Sequence, residues 1–353
     1  MSAPSRESMV SIQLMRDVDN RMVWDRRSRG HYEVWYATFN HRRTGTGFWI
    51  RYTLESPQAE RGEPYCALWF AHFNAAHPKR NFAIHRRLPI DALVAEAEPF
   101  RVQIGESQLR TGELQGALAG DAHHVSWNLR FQPALFTHHH LPEVVYRSTF
   151  ADTTVLSPNL IINLEGEVAV DGETYTFEGD PGGQTHLWGR KHAHAWAWSH
   201  CNSFREDSTA CVETLTVRLR RLGIVTPPLT FMSLYLGSEV FHLREFYTLP
   251  LTRGRWETGL YRFKGVGKRA RIEGELRCRP EDLVQAVYHD PDGSPVYCHN
   301  TEVAEAKVTL WMRRSLGASF KRVAQLTTRE GGHFEYGGRL PDGHVTRRHV
   351  EVR

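Results

Sequence analysis

His186-Leu-Trp188-Gly-Arg-Lys-His192-Ala-His194-Ala-Trp196-Ala-Trp198-Ser-His200-Cys-Asn202-Ser-Phe204 is the most specific stretch of this chain. From Lys191 onward it has a period of two. His192, His194, Trp196, Trp198 and His200 alternate with Ala193, Ala195, Ala197, Ser199 and Cys201. Successive side chains of a strand point to opposite faces. One face therefore carries three imidazoles and two indoles, and the other only small groups. The small face admits close packing, while the ring face suits the wall of an apolar pocket that still offers protons. An ordinary core strand would show the same tryptophans, with its histidines near the ends.

Strand signals run outward from this segment in both directions. Tyr32–Phe39 and Phe48–Leu54 read as a hairpin of aromatic and β-branched residues, and Pro64–Phe73 as the next strand. Ser107–Leu118 and His123–Phe131 alternate in the same way. Leu164–Val170 and Glu173–Phe177 flank Asp171-Gly172, a dipeptide suited to a type I′ turn. Beyond the His/Trp segment, strands are expected at Cys211–Leu219, Thr230–Leu236, Ser238–Leu243, Arg255–Phe263, Arg271–Arg277, Leu283–His289, Val303–Arg313 and Arg347–Val350. Helical periodicity is scarce, and Ile90–Ala97 is its best candidate. Many short strands at a spacing of about 8–12 residues predict antiparallel sandwiches or barrels. The chain is all-β.

A chain of 353 residues exceeds the size at which one core stops growing, so two domains are expected. The Gly-rich Gly179–Gly183 reads as a break in the strand series. It places the division at 1–185 and 186–353. Hydrophobic residues at 41% and charged residues at 24% suit a globular protein. No apolar run reaches the length of a membrane helix, and Met1–Ser8 lacks the apolar stretch of a signal peptide. A cytoplasmic protein with five free thiols follows, since Cys66, Cys201, Cys211, Cys278 and Cys298 show no paired spacing. The formal charge of +4 is small, and the Arg pairs are dispersed, which argues against a nucleic-acid partner. P-loop, dinucleotide and nucleophile-elbow motifs are absent, so no cofactor is expected.

Two carboxylates, Glu178 and Asp180, stand where the chain enters the His/Trp segment. A carboxyl partly desolvated by indoles has a raised pKa and remains a proton donor. Indole faces of Trp188, Trp196 and Trp198 would stabilise a cation formed by protonating an alkene. The alternative places Asp180 at the start of an Asp-Pro-Gly turn and Glu178 at a solvated strand end. His192 and His194 share a spacing that can chelate a metal, with a third ligand from His200, His138–His140 or His123-His124. In the first hairpin Glu33 and Trp35 share a face and are candidate pocket residues. Arg51, out of phase with Phe48, Ile50 and Tyr52, is either buried and paired or exposed, and a surface arginine is the simpler reading.

Tyr175-Thr-Phe-Glu-Gly-Asp-Pro, Trp188-Gly189, Trp196-Ala-Trp198 and Cys201-Asn202-Ser-Phe204 together resemble the central motif of tocopherol cyclases. Leu164–Val168 and Val296–Asn300 look like further segments of that family. Its wider superfamily includes carotenoid hydratases of the hydroxyneurosporene synthase type, AttH-like proteins and fungal Diels-Alder cyclases. The resemblance implies two lipocalin-like (calycin-like) antiparallel β-barrel domains with a hydrophobic ligand in or between them. His186-Leu187 stands where tocopherol cyclases carry Lys-Asn, and Lys191–His194 where they carry Phe-Pro. Those departures point away from tocopherol precursors.

The expected activity is a cofactor-independent cyclase, hydratase or isomerase acting by general acid catalysis on a hydrophobic substrate, isoprenoids among the candidates. Asp180, Glu178, His186 or His200 would supply the proton. Trp188, Trp196, Trp198 and Trp35 would shape the pocket, with Asn202 and Glu33 holding a polar end. A non-catalytic carrier would need the same aromatic cavity without the acid. A metal enzyme would be built on His192 and His194.

Overall fold

The computed structural model describes residues 6–147 and 151–352. Two large antiparallel sheets each curl into a barrel. The first takes its strands from His31–His41 through Glu173–Gly189, the second from Ala195–Cys201 through Lys321–Gly338. The chain passes between them over residues 190–194. Its end returns to the first sheet, where Val350–Glu351 pairs in parallel with Phe82–Pro89. In the second barrel Thr252 Oγ1 donates to the Thr230 carbonyl at 2.7 Å, tying the last strand of the path back to an early one.

The expected hairpin is present, longer than its sequence signal, at His31–His41 and Thr46–Ser56. Asp171 and Gly172 have φ of 51° and 87°, as a type I′ turn between Thr153–Val170 and Glu173–Gly189 requires. Gly179–Gly183 does not break the strand series. The strand Glu173–Gly189 runs through it, with register shifts against its neighbour that absorb the irregular residues. A Cβ on Gly182 would lie 2.6 Å from Leu164 Cδ1 and 2.7 Å from Phe39 Cβ, so the glycine serves close strand packing rather than a turn.

Three other expectations change. Ile90–Ala97 is a 3₁₀ turn, Ile90–Ala92, followed by the strand Leu93–Ala97, whose Leu93 pairs with Ile104. Arg255–Phe263 divides at Thr258-Gly259 into Thr252–Glu257 and Leu260–Val266. A helix unforeseen in the sequence spans Arg6–Asn20. It buries Ile12, Arg16, Asp17 and Asn20, which share one helical face. That face is largely polar, so hydropathy does not reveal it. The helix end seats on the first barrel, where Trp35 Nε1 donates to the Asn20 carbonyl at 2.8 Å. Among the described residues no helix is long and apolar enough to cross a membrane. All five cysteines are unpaired.

Each barrel has its own core. Trp35, Phe39, Phe48, Phe70 and Trp127 pack in the first, and Tyr261, Phe263, Ile272 and Phe334 in the second. A third cluster draws on both and forms the seam: Trp49, Trp69 and Phe73 meet Trp196, Trp198, Tyr288 and Val303. Polar groups also cross this seam. His200 Nε2 donates to the Leu160 carbonyl at 3.0 Å, and His333 Nε2 donates to Asn40 Oδ1 at 2.8 Å. Asn40 Nδ2 in turn donates to the Glu302 carbonyl at 2.6 Å. Both Nε2 atoms therefore carry protons, while the two Nδ1 atoms stand 2.9 Å apart. Burial disfavours charge on both rings and on the Glu302 carboxyl. Without a proton shared between them, two lone pairs would face each other at this contact. Glu302 Oε2 lies 3.6 Å from His333 Nδ1.

Replacing His333 with Leu removes that proton bridge and leaves His200 Nδ1 and Asn40 Oδ1 buried without partners. We expect a loss of about 2–4 kcal/mol, read as a fall of roughly 5–10 °C in apparent Tm by circular dichroism. A variant melting with the wild type would show that the two rings do not hold the seam.

Candidate functional site

Alternation along the seam strands builds a cavity of about 630 Å³ between the barrels. On His31–His41, Trp35 faces the first core and Tyr32, Val34 and Tyr36 face the cavity. On Thr46–Ser56, Phe48, Ile50 and Tyr52 enter that core, while Trp49 and Arg51 line the cavity. The His/Trp strand itself is Ala195–Cys201. Its Ala197 and Cys201 enter the second core, and Trp196 and Trp198 line the cavity. Leu187, Leu215, Val217, Leu229 and Phe231 complete apolar walls. The size and character suit one small organic ligand.

Both indoles are held by carboxylates. Trp196 Nε1 donates to Glu335 Oε1 at 2.7 Å, and Glu335 itself lines the cavity. The Trp196 ring lies on Gly337, where a Cβ would come within 2.3 Å of Cζ2. Trp198 Nε1 donates to the buried Glu213, whose Oε1 also pairs with His140 Nε2 at 2.9 Å. The Tyr36 ring meets Trp198 edge-on at 6.0 Å. Arg51 lies with its Cζ 4.0 Å from the Tyr288 ring centroid, and its Nε donates to Thr53 Oγ1 at 3.0 Å.

His192 and His194 lie on the connector, outside the strand, and both line the cavity. His192 stacks on Tyr32 at 4.4 Å and bonds Asp290 Oδ1 through Nδ1 at 2.7 Å. Arg339 clamps the same loop, donating to Asp290 Oδ2 at 2.5 Å and to the His192 carbonyl at 2.8 Å. Although burial works the other way, these bonds hold the Asp290 carboxyl below its ordinary range. Among the described residues no three His, Cys, Asp or Glu side chains gather to hold a metal. His192 itself is taken up by Asp290 and Tyr32.

Of the other sequence candidates, Trp196, Trp198 and, from the His138–His140 run, His140 line the cavity. Asp180 accepts from the Arg42 and Glu178 amides at 2.8 and 2.9 Å, bracing an irregular part of its strand, and Glu178 points to solvent. Glu33 is buried on the opposite face from Tyr32. It accepts from the Val23 and Trp24 amides at 2.7 and 2.9 Å. His186 is locked between Glu33 Oε1 and the Asp19 carbonyl, each at 2.9 Å, and stacks on Trp35. Trp188 covers His186 at 4.7 Å. His200 belongs to the seam pair, and Asn202 Nδ2 donates to the Gly182 carbonyl at 2.8 Å. Of these, His200 and Asn202 tie the two barrels together, while Asp180, Glu33, His186 and Trp188 brace the first barrel and its helix. Arg51, taken as a surface group, is buried in it. Tyr32, Tyr36, Tyr288 and Glu335 were passed over, although Tyr32 and Tyr36 alternate visibly with Glu33 and Trp35.

The chain belongs to the tocopherol cyclase-like family, whose model matches residues 29–338. An uncharacterized protein of Mycobacterium tuberculosis is 28% identical over 291 residues, covering 81% of this chain and 83% of that one. Among solved structures, a putative AttH from Nitrosomonas europaea shares the fold at a TM-score of 0.54 and 10% identity, over 88% of this chain and 93% of that one. Kievitone hydratase from Nectria haematococca gives 0.52 and 10%, over 92% of each chain. CghA bound to Sch210972 gives 0.51 and 11%, over 89% of each.

Burial pushes the Tyr36 and Tyr288 phenols well above their ordinary value. Glu335 acts in the same direction on both, and Arg51 partly opposes it at Tyr288. Unfolded tyrosines ionise near pH 10, so the folded state holds these protons more tightly above that point. Their stabilising effect is complete below about pH 10 and is lost as pH rises through the folded values. In an alkaline titration we expect these phenolates to emerge together with loss of near-ultraviolet circular dichroism. Ionisation of every tyrosine near pH 10 in the native protein would contradict their burial.

Proposed function

We propose that this tocopherol cyclase-like chain is a cyclase or hydratase that works by proton transfer in the seam cavity. The observation that carries the reading is Glu335. It is a carboxyl group on a cavity wall of indole, phenol and aliphatic side chains, oriented by the Trp196 N–H. A proton carrier oriented by the Trp196 N–H and the Cys298 thiol on a largely apolar wall has the parts of a general acid. No other candidate acid from the sequence reaches this space. Asp180 and His186 have their polar atoms engaged by the first barrel and its helix.

The step balances within the site. Glu335 in its acid form gives its proton to one carbon of a substrate alkene, and the π pair becomes the new C–H bond. The cation at the other carbon lies among the faces of Trp196, Trp198 and Tyr36. A hydroxyl of the same molecule closes a ring onto that carbon, or water adds to it. The oxygen releases its proton to the Glu335 carboxylate, which restores the acid. Tyr36, kept as a phenol by burial and bonded to Thr185, adds a neutral aromatic face to the same wall. The shape of the bound ligand, which sets whether its own hydroxyl or a water reaches the cation, decides between ring closure and hydration.

The reading is tested by incubating the protein in D₂O with a panel of prenylated phenols and following products by mass spectrometry. Turnover should place one deuterium on carbon, in an isomer for cyclisation or in a hydrate for water addition. Glu335→Gln should lower kcat by about 10²–10⁴-fold while substrate binding, read by tryptophan quenching, is retained. Equal turnover by Glu335→Gln would overturn the assignment. Binding without turnover in the wild type would leave a carrier of hydrophobic ligands as the function.

A further inference from the structure

Arg51 is the least explained charge in the seam. It is 5% exposed and lines the cavity. Among the described residues its side chain makes one hydrogen bond, from Nε to Thr53 Oγ1, and no ion pair within 4.0 Å. Its plane rests on an aromatic floor, with Cζ 4.0 Å from Tyr288, 5.7 Å from Trp49 and 5.9 Å from Trp69. Ring faces attract a guanidinium but cannot accept bonds from its Nη edge. A buried charge without a partner is costly, and evolution of a well-packed apolar wall would more simply use a neutral side chain there.

Burial opposes the Arg51 charge and Glu335 and Glu55 favour it from a distance, but among the described residues no carboxylate comes within 4.0 Å of the guanidinium. Glu335 lies on the facing strand but is oriented by Trp196. Asp290 is taken by His192 and Arg339. Glu55 sits on the same strand as Arg51, and burial pushes its carboxyl well above the ordinary range, into the neutral form. Cys298 and Tyr288, also near, are held in their neutral forms by burial. The direct cross-strand neighbour of Arg51 is Tyr36. Residues so paired project from the same face about 5 Å apart, and both line the cavity.

We propose that Arg51, with Tyr36 beside it, is the receptor for an anionic oxygen group, and that the cavity's ligand is an amphipathic organic acid. Its apolar body occupies the Trp196–Trp198 wall, and its carboxylate, enolate or phenolate accepts from the Nη edge. The inference deepens the proton-transfer reading and rests on the same cavity. It also resolves a conflict in that reading. A bare guanidinium would repel a cationic intermediate nearby, whereas a bound anion neutralises it. Arg51 thus determines specificity, and Glu335 moves the proton.

The test compares binding of decanoate and decan-1-ol, probes of equal chain length, by tryptophan quenching at pH 8 and low salt. The wild type should bind decanoate at least 10-fold more tightly. Arg51→Met should bind decan-1-ol as the wild type does and lose the preference for the acid, and Arg51→Lys should keep part of it. Equal wild-type affinities, no binding of decanoate, or a preference that survives in Arg51→Met would each overturn the proposal. Should Arg51→Met fail to fold, the wild-type comparison and its reversal by high salt decide the matter. Glu335→Gln separates the two readings. A retained acid preference without turnover in any variant defeats catalysis and leaves the anion receptor standing, and the converse defeats the receptor alone.

Discussion

Strands at the seam must satisfy two surroundings at once, because their side chains alternate strictly between a barrel core and the space between barrels. That constraint organises the rest of the molecule. Ala197 and Cys201 are small because their face enters a core already filled by Tyr261 and Phe334. Trp196 and Trp198 are large because their face must span the gap to the other barrel. The same rule on the first hairpin sends Trp35 inward and Tyr36 outward, and sets Arg51 against Tyr288 from the opposite barrel. The cavity is the part of the seam that these outward side chains line without filling.

Keeping such a space open between two greasy surfaces requires polar restraints, and the seam has them in a graded series. The bonds of His200 to Leu160, Asn40 to Glu302 and Asn202 to Gly182 fasten side chain to backbone where the barrels touch. Arg339, Asp290 and His192 then pin the connector across one side of the cavity. Glu213 and Glu335 fix the two indoles against rotation into the void. Each restraint is a buried polar group with a partner, and such groups favour one arrangement over alternatives rather than adding much net stability.

Much of the fold could be read from alternation and turn chemistry, since both are local. The Asp171-Gly172 hairpin and the two-faced character of the Trp196–Trp198 segment needed no knowledge of distant contacts. Three features defeated that reading. The helix Arg6–Asn20 buries Arg16, Asp17 and Asn20, so its inward stripe looks like a solvent face. The strand Lys321–Gly338 was missed because Gly331-Gly332 and Gly337-Gly338 interrupt its pattern. Those glycines serve close approach, as the Trp196 ring over Gly337 demonstrates, and that requirement appears only once the second barrel is assembled. Missing the strand also hid Glu335 and His333. For the site, the period of two was visible but its phase was not. Glu33 and Trp35 were chosen over Tyr32 and Tyr36, and a slip of one residue exchanges core for cavity.

The distinction between a bracing carboxylate and a working one follows from what already engages its oxygens. Asp180 accepts backbone amides through both, so protonating it would break the irregular strand it holds. Glu33 is engaged more heavily still, by two amides and two imidazoles. Glu335 is bonded only by side chains, the Trp196 indole on Oε1 and the Cys298 thiol, and it lines the cavity. A carboxyl that carries no backbone amide can change protonation state without releasing a strand. That freedom, more than proximity to tryptophan, separates the group suited to proton transfer from those that only resemble it in sequence.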